Sequence, residues 1–155
     1  MFDPATFMNQ TVNTPLDTNV WIPPEGDYRA MIDDFGPDDF RTFTSEKNSK
    51  DYTVFSPPFV LQAPELLAAS GRDKITVYHK GMFIDVDAAG GLDTSKGKNV
   101  DLGRLREAVG QNNQTGWTFN NLKGAGPVMV HVIHESDKND SDRKYARISR
   151  VVKIG

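Results

Sequence analysis

The clearest signal in the chain is alternation. In "GDYRAMIDDF" the residues Tyr28, Ala30 and Ile32 point one way and Arg29, Met31 and Asp33 the other, the period of a half-buried strand. "YTVFSPPFVLQAP" reads as a second strand whose ladder is broken at Pro57-Pro58, where a bulge or an edge is expected. "DKITVYHKGMFIDVD" sets Ile75 and Val77 against Thr76, Tyr78 and Lys80; Gly81 then lets the strand bend, and Met82, Ile84 and Val86 take over the apolar face. "VMVHVIHES" puts Val128, Val130 and Val132 on the core side, and the turn "DKNDSD" joins it to "RKYARISRVVKI" as a closing hairpin. Helical spacing occurs in "LGRLREAVGQN", through Leu102, Leu105 and Val109, with Asp101 as the expected N-cap. "ELLAASG" adds a turn or two of helix, stopped by Gly71. "GPDDFRTFTSEKNSKD" reads as a long polar loop with a hairpin tip, "AAGGLDTSKGKN" as a flexible basic-tipped loop, and "NQTGWTFNNLKGAGP" as an irregular connection. Residues 1–24, rich in turn formers and containing Pro23-Pro24, read as an N-terminal arm on a domain spanning 25–155.

The order strand, strand, strand, helix, strand, strand lacks the strand–helix alternation of a parallel doubly wound sheet. It predicts a mainly β protein, an OB-fold-like five-stranded Greek-key barrel with one helix between strands 3 and 4. At 155 residues the chain buries a core without staples, and it has no cysteine, so disulfides, thiolate metal sites and a cysteine nucleophile are excluded. No basic segment leads into an apolar run at the N-terminus, and no stretch approaches the ~20 apolar residues of a membrane span. The expectation is a soluble intracellular protein without membrane contact.

Charge is uneven. Residues 1–73 carry 5 basic and 12 acidic side chains and residues 74–155 carry 13 and 9, which together give the net charge of −3. A uniformly basic surface is excluded, but a basic face built from the second half is not. After Asp142 the chain has Arg143, Lys144, Arg147, Arg150 and Lys153 and no acid.

Candidate catalytic and metal motifs fail one by one. "DVDAAGGLD" begins like a calcium loop, but its twelfth position is Lys96 where an acidic ligand is required. "GGLDTSKGKN" lies where a phosphate loop would, yet it has one residue too many and Asn99 in place of the magnesium-binding hydroxyl. His131 and His134 are three apart on a strand and so face opposite sides, and His79 lacks a partner, so solvated or hydrogen-bonded histidines are implied. The carboxylate pairs Asp33-Asp34 and Asp38-Asp39 read as turn and surface residues. No cofactor, metal or catalytic residue is expected. Aromatic and basic side chains remain: Tyr78 and Lys80 on one outer face, and Tyr145, Arg147, Ser149 and Lys153 on that of the final strand, with Arg143 leading in. Rings that stack on bases beside cations that track phosphates hold single strands. The competing reading is a merely solubilising basic edge.

The stretches "PPEGDYRAMIDDF", "GLDTSKGKNVDLGRLREAVGQN" and "LKGAGPVMVHVIHESD" to "ARISRVVKI" resemble a group of small tailed-bacteriophage proteins, several of them similar to phage single-stranded DNA-binding proteins. The likeness covers most of residues 23–154 and rests on positions of fold such as Gly26, Tyr28, Leu105 and Gly124. It implies an OB-fold that coats single-stranded DNA in the host cytoplasm, alongside phage replication or recombination proteins, and leaves homo-oligomerisation open. The acidic C-terminal tail that many such proteins use to recruit partners is not seen. The expected DNA-contacting residues are Arg29, Tyr78, Lys80, Lys96, Lys98, Lys123, Arg143, Tyr145, Arg147 and Lys153. Rival readings are a phage assembly protein that docks through the arm's Phe2, Phe7 and Trp21, or an inhibitor of a host enzyme.

Overall fold

A computed structural model describes residues 1–18 and 20–154. Among them, eight strands form two antiparallel sheets, with three short α-helices. Helix α1 (Pro4–Met8) is capped by Asp3 and buries nothing. Strand β1 (Gly26–Ile32) follows its alternation, with Ala30 and Ile32 buried and Arg29 exposed. Next come a 3-10 turn at Pro37–Asp39, the hairpin of β2 (Phe40–Thr44) and β3 (Asp51–Phe55), and then β4 (Pro58–Leu61). Helix α2 (Pro64–Ser70) begins on proline, whose missing N–H needs no partner there, and ends at Gly71 with a left-handed φ of 68°. The remaining elements are β5 (Thr76–Tyr78), β6 (Met82–Ile84), α3 (Val100–Ala108), β7 (Val128–Ser136) and β8 (Lys144–Lys153).

One sheet has the order β5-β4-β1-β7-β8, the other β2-β3-β6. The two proline- and glycine-marked breaks lie side by side. Pro58 pairs with Tyr78 on one side of them and Phe55 with Met82 on the other. Two bent strands therefore pass together from one sheet into the next, and the His79 N–H donates to the Pro57 carbonyl across the bend at 2.9 Å. These two breaks, together with β2 continuing the first strand beyond the 3-10 turn, are why eight short strands stand where five long ones are predicted. Among the described residues no continuous ladder closes the five-stranded sheet into a barrel. Its outer strands meet at one parallel bridge, His79 to Ile148, where the Lys80 N–H also donates to the Ile148 carbonyl at 2.9 Å.

The core fills the space between the sheets and α3. Phe55, Phe59, Val128, Val130, Val132 and Ile148 are wholly buried, and α3 adds Leu102, Leu105 and Ala108. Each large apolar side chain so placed contributes about 1.5–3 kcal/mol relative to exposure. Phe40 stacks on Phe55 with ring centres 4.4 Å apart, and Phe119 meets both edge-on.

Three expectations are corrected. The segment read as a polar loop contains β2, because Phe40 turns inward and anchors it. Val86 is exposed, since the strand ends at Ile84. The N-cap of α3 is Asn99, not Asp101. Asn99 holds a left-handed φ of 53°, accepts from the Asp85 N–H at 2.8 Å, and donates to the carbonyls of Asp85 and Asp93. Asp101 instead lies in the helix's first turn.

Candidate nucleic-acid interface

On the five-stranded sheet, Tyr78 points outward at the β5 edge, 45% exposed, as its alternation predicts. Arg29 lies on the same outer face and donates from Nε to the Gln62 side chain at 3.2 Å. At the far edge Tyr145 and Arg147 sit together, the guanidinium 5.1 Å from the ring centre. Strand order separates Tyr78 from Arg147 by three strands, yet the parallel bridge sets the residues flanking His79 beside those flanking Ile148. Curvature of the sheet thus gathers Tyr78, Lys80 and Arg147 around one line of contact, with Tyr145 further along β8.

Tyr145 is not an open stacking platform. Its hydroxyl donates to Asp137 at 2.9 Å, and the Asn139 N–H together with that hydroxyl holds the Asp137 carboxyl below its usual range. The ring, with Arg143 and Lys144, lines a cavity of about 850 Å³ whose other wall is Thr18, Val20 and Ile22. The N-terminal segment therefore borders this part of the face. Trp21 does not close it: it packs against the core, with its ring 5.5 Å from the Arg72 guanidinium.

The final strand carries a bulge. His131 pairs with Arg150 and Val132 with Ile148, which leaves Ser149 as the extra residue. A one-residue slip exchanges the faces of everything beyond it. Arg150, beside outward-facing His131, joins the outer face, while Lys153 pairs with buried Val128 and leaves it. The assignment of Lys153 to the face of Tyr145 and Arg147 is therefore corrected. Lys123 is occupied elsewhere, 3.5 Å from Asp34 and over the Phe35 ring. Lys96 and Lys98 are exposed on a loop whose backbone is tied at its start by Asp87, which accepts from the Ala89 and Gly91 N–H groups at 2.9 Å.

The most exposed aromatic surface of the domain lies on the other sheet. Phe43, Tyr52 and Phe83 project from the outer side of β2, β3 and β6 in a row, with centroids 5.5 Å apart for Phe43–Tyr52 and 5.6 Å for Tyr52–Phe83. Phe43 is 43% and Phe83 56% exposed. Arg41 stands on the same side, because Arg41 and Phe83 both pair with Val54. Lys47 and Lys50 occupy the hairpin tip. Phe83 sits between two buried residues, so the alternation does signal an outward ring there; the β2 signal was masked by its polar neighbours.

His79, buried against the bend, accepts the Gly81 N–H at Nδ1 (3.0 Å), and burial first, then the Lys80 charge, lowers its pKa to about 4. It is neutral at pH 7, with its proton on Nε2. Among the described residues no cluster of three or more His, Asp or Glu is placed to hold a metal, and no helix is long and apolar enough to cross a membrane. No family model, curated protein or solved structure matches the chain.

Proposed function

We propose that the protein binds single-stranded DNA without sequence preference, as a binding module rather than a catalyst. The observation that carries this reading is the exposed row Phe43–Tyr52–Phe83 beside Arg41 and the lysines of the hairpin tip. Three contacting rings left in water are unfavourable unless a flat apolar partner covers them, and successive bases on a cation-flanked strand are such a partner. The topology supports it. Grouped as three bent strands, α3 and a closing hairpin, the elements are compatible with an OB order, with the parallel His79–Ile148 contact between the third and last strands. The aromatic row then falls on the first, second and third strands of that scheme, and Tyr78, Lys80, Arg147 and Arg150 extend the surface around the bend. The likeness to phage proteins directs this activity to replication or recombination in an infected cell.

Fluorescence anisotropy of a labelled oligo-dT with hydroxyl ends tests the reading. Binding should fall steeply with salt as counterions are released, and duplex should bind more weakly. Phe83→Ala should weaken binding by about 1–3 kcal/mol with little change in the salt slope. No binding at low salt, or full affinity in a Phe43→Ala Phe83→Ala variant that remains folded, would end it.

A second reading keeps a specific observation of its own: Phe2, just before α1, meets Phe7 on that exposed helix edge-on at 5.0 Å, with no core contact. An assembly protein would dock through that pair. Sedimentation of the full chain and of a Phe2→Ser Phe7→Ser variant separates the two, since only docking through the arm predicts a mass that depends on those residues.

A further inference from the structure

Beside the line where β5 and β8 meet, α3 roofs a cavity of about 200 Å³, the space of about seven waters. Lys80 from the bend, Arg104 from α3 and Arg150 from the bulge line it, together with Asp101, His79 and Ser149. Lys80 and Arg150 make no side-chain hydrogen bond or ion pair among the described residues, and the Arg104 contact to Asp101 is long, at 3.9 Å. Three cations and one carboxylate leave two positive charges around a small concave space. The His79 ring, with Nδ1 already accepting from Gly81, has only a donor left to offer.

We propose that this cavity binds a phosphomonoester, the phosphate at the end of a nucleic-acid strand or of a mononucleotide. Charge selects the monoester: it carries about −1.5 to −2 near pH 7, matching the two uncompensated cations, whereas an internal diester brings only one charge. Donor chemistry agrees, because guanidinium groups and an ammonium supply the charge-assisted hydrogen bonds that phosphate oxygens accept best. The bulge sets which way Arg150 faces, since without Ser149 as an extra residue it would sit on the other face of β8.

The cavity also adjoins the aromatic row. Gly81 lines the cavity, and a Cβ at Gly81 would lie 2.7 Å from Val54 and 3.9 Å from Arg41, both on the aromatic side of β2-β3-β6. A strand end anchored in the cavity can thus continue onto Phe83, which would give the bound strand a defined polarity. This continuation rests on the DNA-binding reading, but the phosphate site itself does not.

The first measurement therefore uses inorganic phosphate and no DNA. Titration of the full chain, followed by NMR of the Lys80, Gly81 and Arg150 amides and the Arg104 and Arg150 Nε–H groups, should give saturable shifts at constant ionic strength. The shifts should vanish in a Lys80→Gln Arg150→Gln variant whose remaining spectrum is unchanged. Linear, unsaturable shifts, or saturation that survives in the variant, overturn the proposal. If the double variant fails to fold, Arg104→Gln is read in the same way. A second arm compares oligo-dT bearing a 5′ phosphate, a 3′ phosphate or none, with thymidine monophosphate as competitor. A gain of about tenfold for one phosphorylated end assigns the site to strand ends. Competition by the mononucleotide with no gain from either end assigns it to free nucleotide. Absence of all oligo-dT binding with phosphate saturation intact removes the DNA-binding reading alone.

Discussion

His79 is a buried base held neutral by its surroundings, and that gives the fold a pH dependence of known sign. Its folded pKa of about 4 lies below the ordinary 6.5 of an exposed imidazole. The unfolded chain takes up a proton between these values and the folded one does not, so the stability present above pH 6.5 is lost as pH falls toward 4. The loss should reach about 3 kcal/mol by pH 4. Asp33, whose carboxyl is held low chiefly by its hydrogen bond from Lys74, acts only at more acid pH. Urea midpoints at pH 7 and pH 5 should therefore diverge in the native chain and converge in His79→Gln. Equal slopes for both would show that another group titrates. Two residues away, Gly81→Ala should cost about 3 kcal/mol, because φ is +115° and the new methyl would meet Val54 at 2.7 Å. An unchanged urea midpoint would mean that the bend relaxes freely.

At the scale of elements, the entry to α3 depends on one amide side chain. Asn99→Ala removes three hydrogen bonds to the Asp85–Asp93 loop and leaves alanine in a left-handed conformation, so a loss of about 3 kcal/mol is expected. Asp101→Ala, at the position the sequence pattern marks as the cap, should change thermal stability little; the reverse ranking would refute the capping described above. This contrast marks the reach of sequence reasoning. Alternation found β1, β7 and β8, and Pro57 and Gly81 announced both breaks, because those signals are local. The bulge is invisible in the sequence because serine occupies it rather than glycine, so the alternation puts Lys153 on the wrong face and gives no sign of Arg150. The row Phe43–Tyr52–Phe83 is hidden for a different reason: it is assembled from three strands, and only their pairing reveals that the rings touch.

For the molecule as a whole, the boundary between arm and domain lies within the segment that the sequence groups as an arm. Trp21 and Ile22 pack against the core, and the Pro23 carbonyl meets the His134 ring at 2.8 Å. Removing residues 1–18 should leave the unfolding free energy, measured in urea, within about 0.5 kcal/mol of the intact chain, because α1 buries nothing. Removing residues 1–24 should cost about 3 kcal/mol or more, through the lost tryptophan and isoleucine contacts. Equal stability of the two truncations would place the boundary further along the chain.

The meeting of β5 and β8 at a single bridge also decides where the molecule opens. Most neighbouring strands share ladders of three to nine residue pairs, while this junction has one bridge and the Lys80 amide beside it. Hydrogen exchange should find the Lys80 amide among the first strand-contact amides to be replaced and those of central β7 among the last, with slow exchange at Lys80 the contrary result. Once parted there, both margins of the sheet present unpaired backbone. Two molecules opened together in a concentrated solution then have a ready way to trade their last strands.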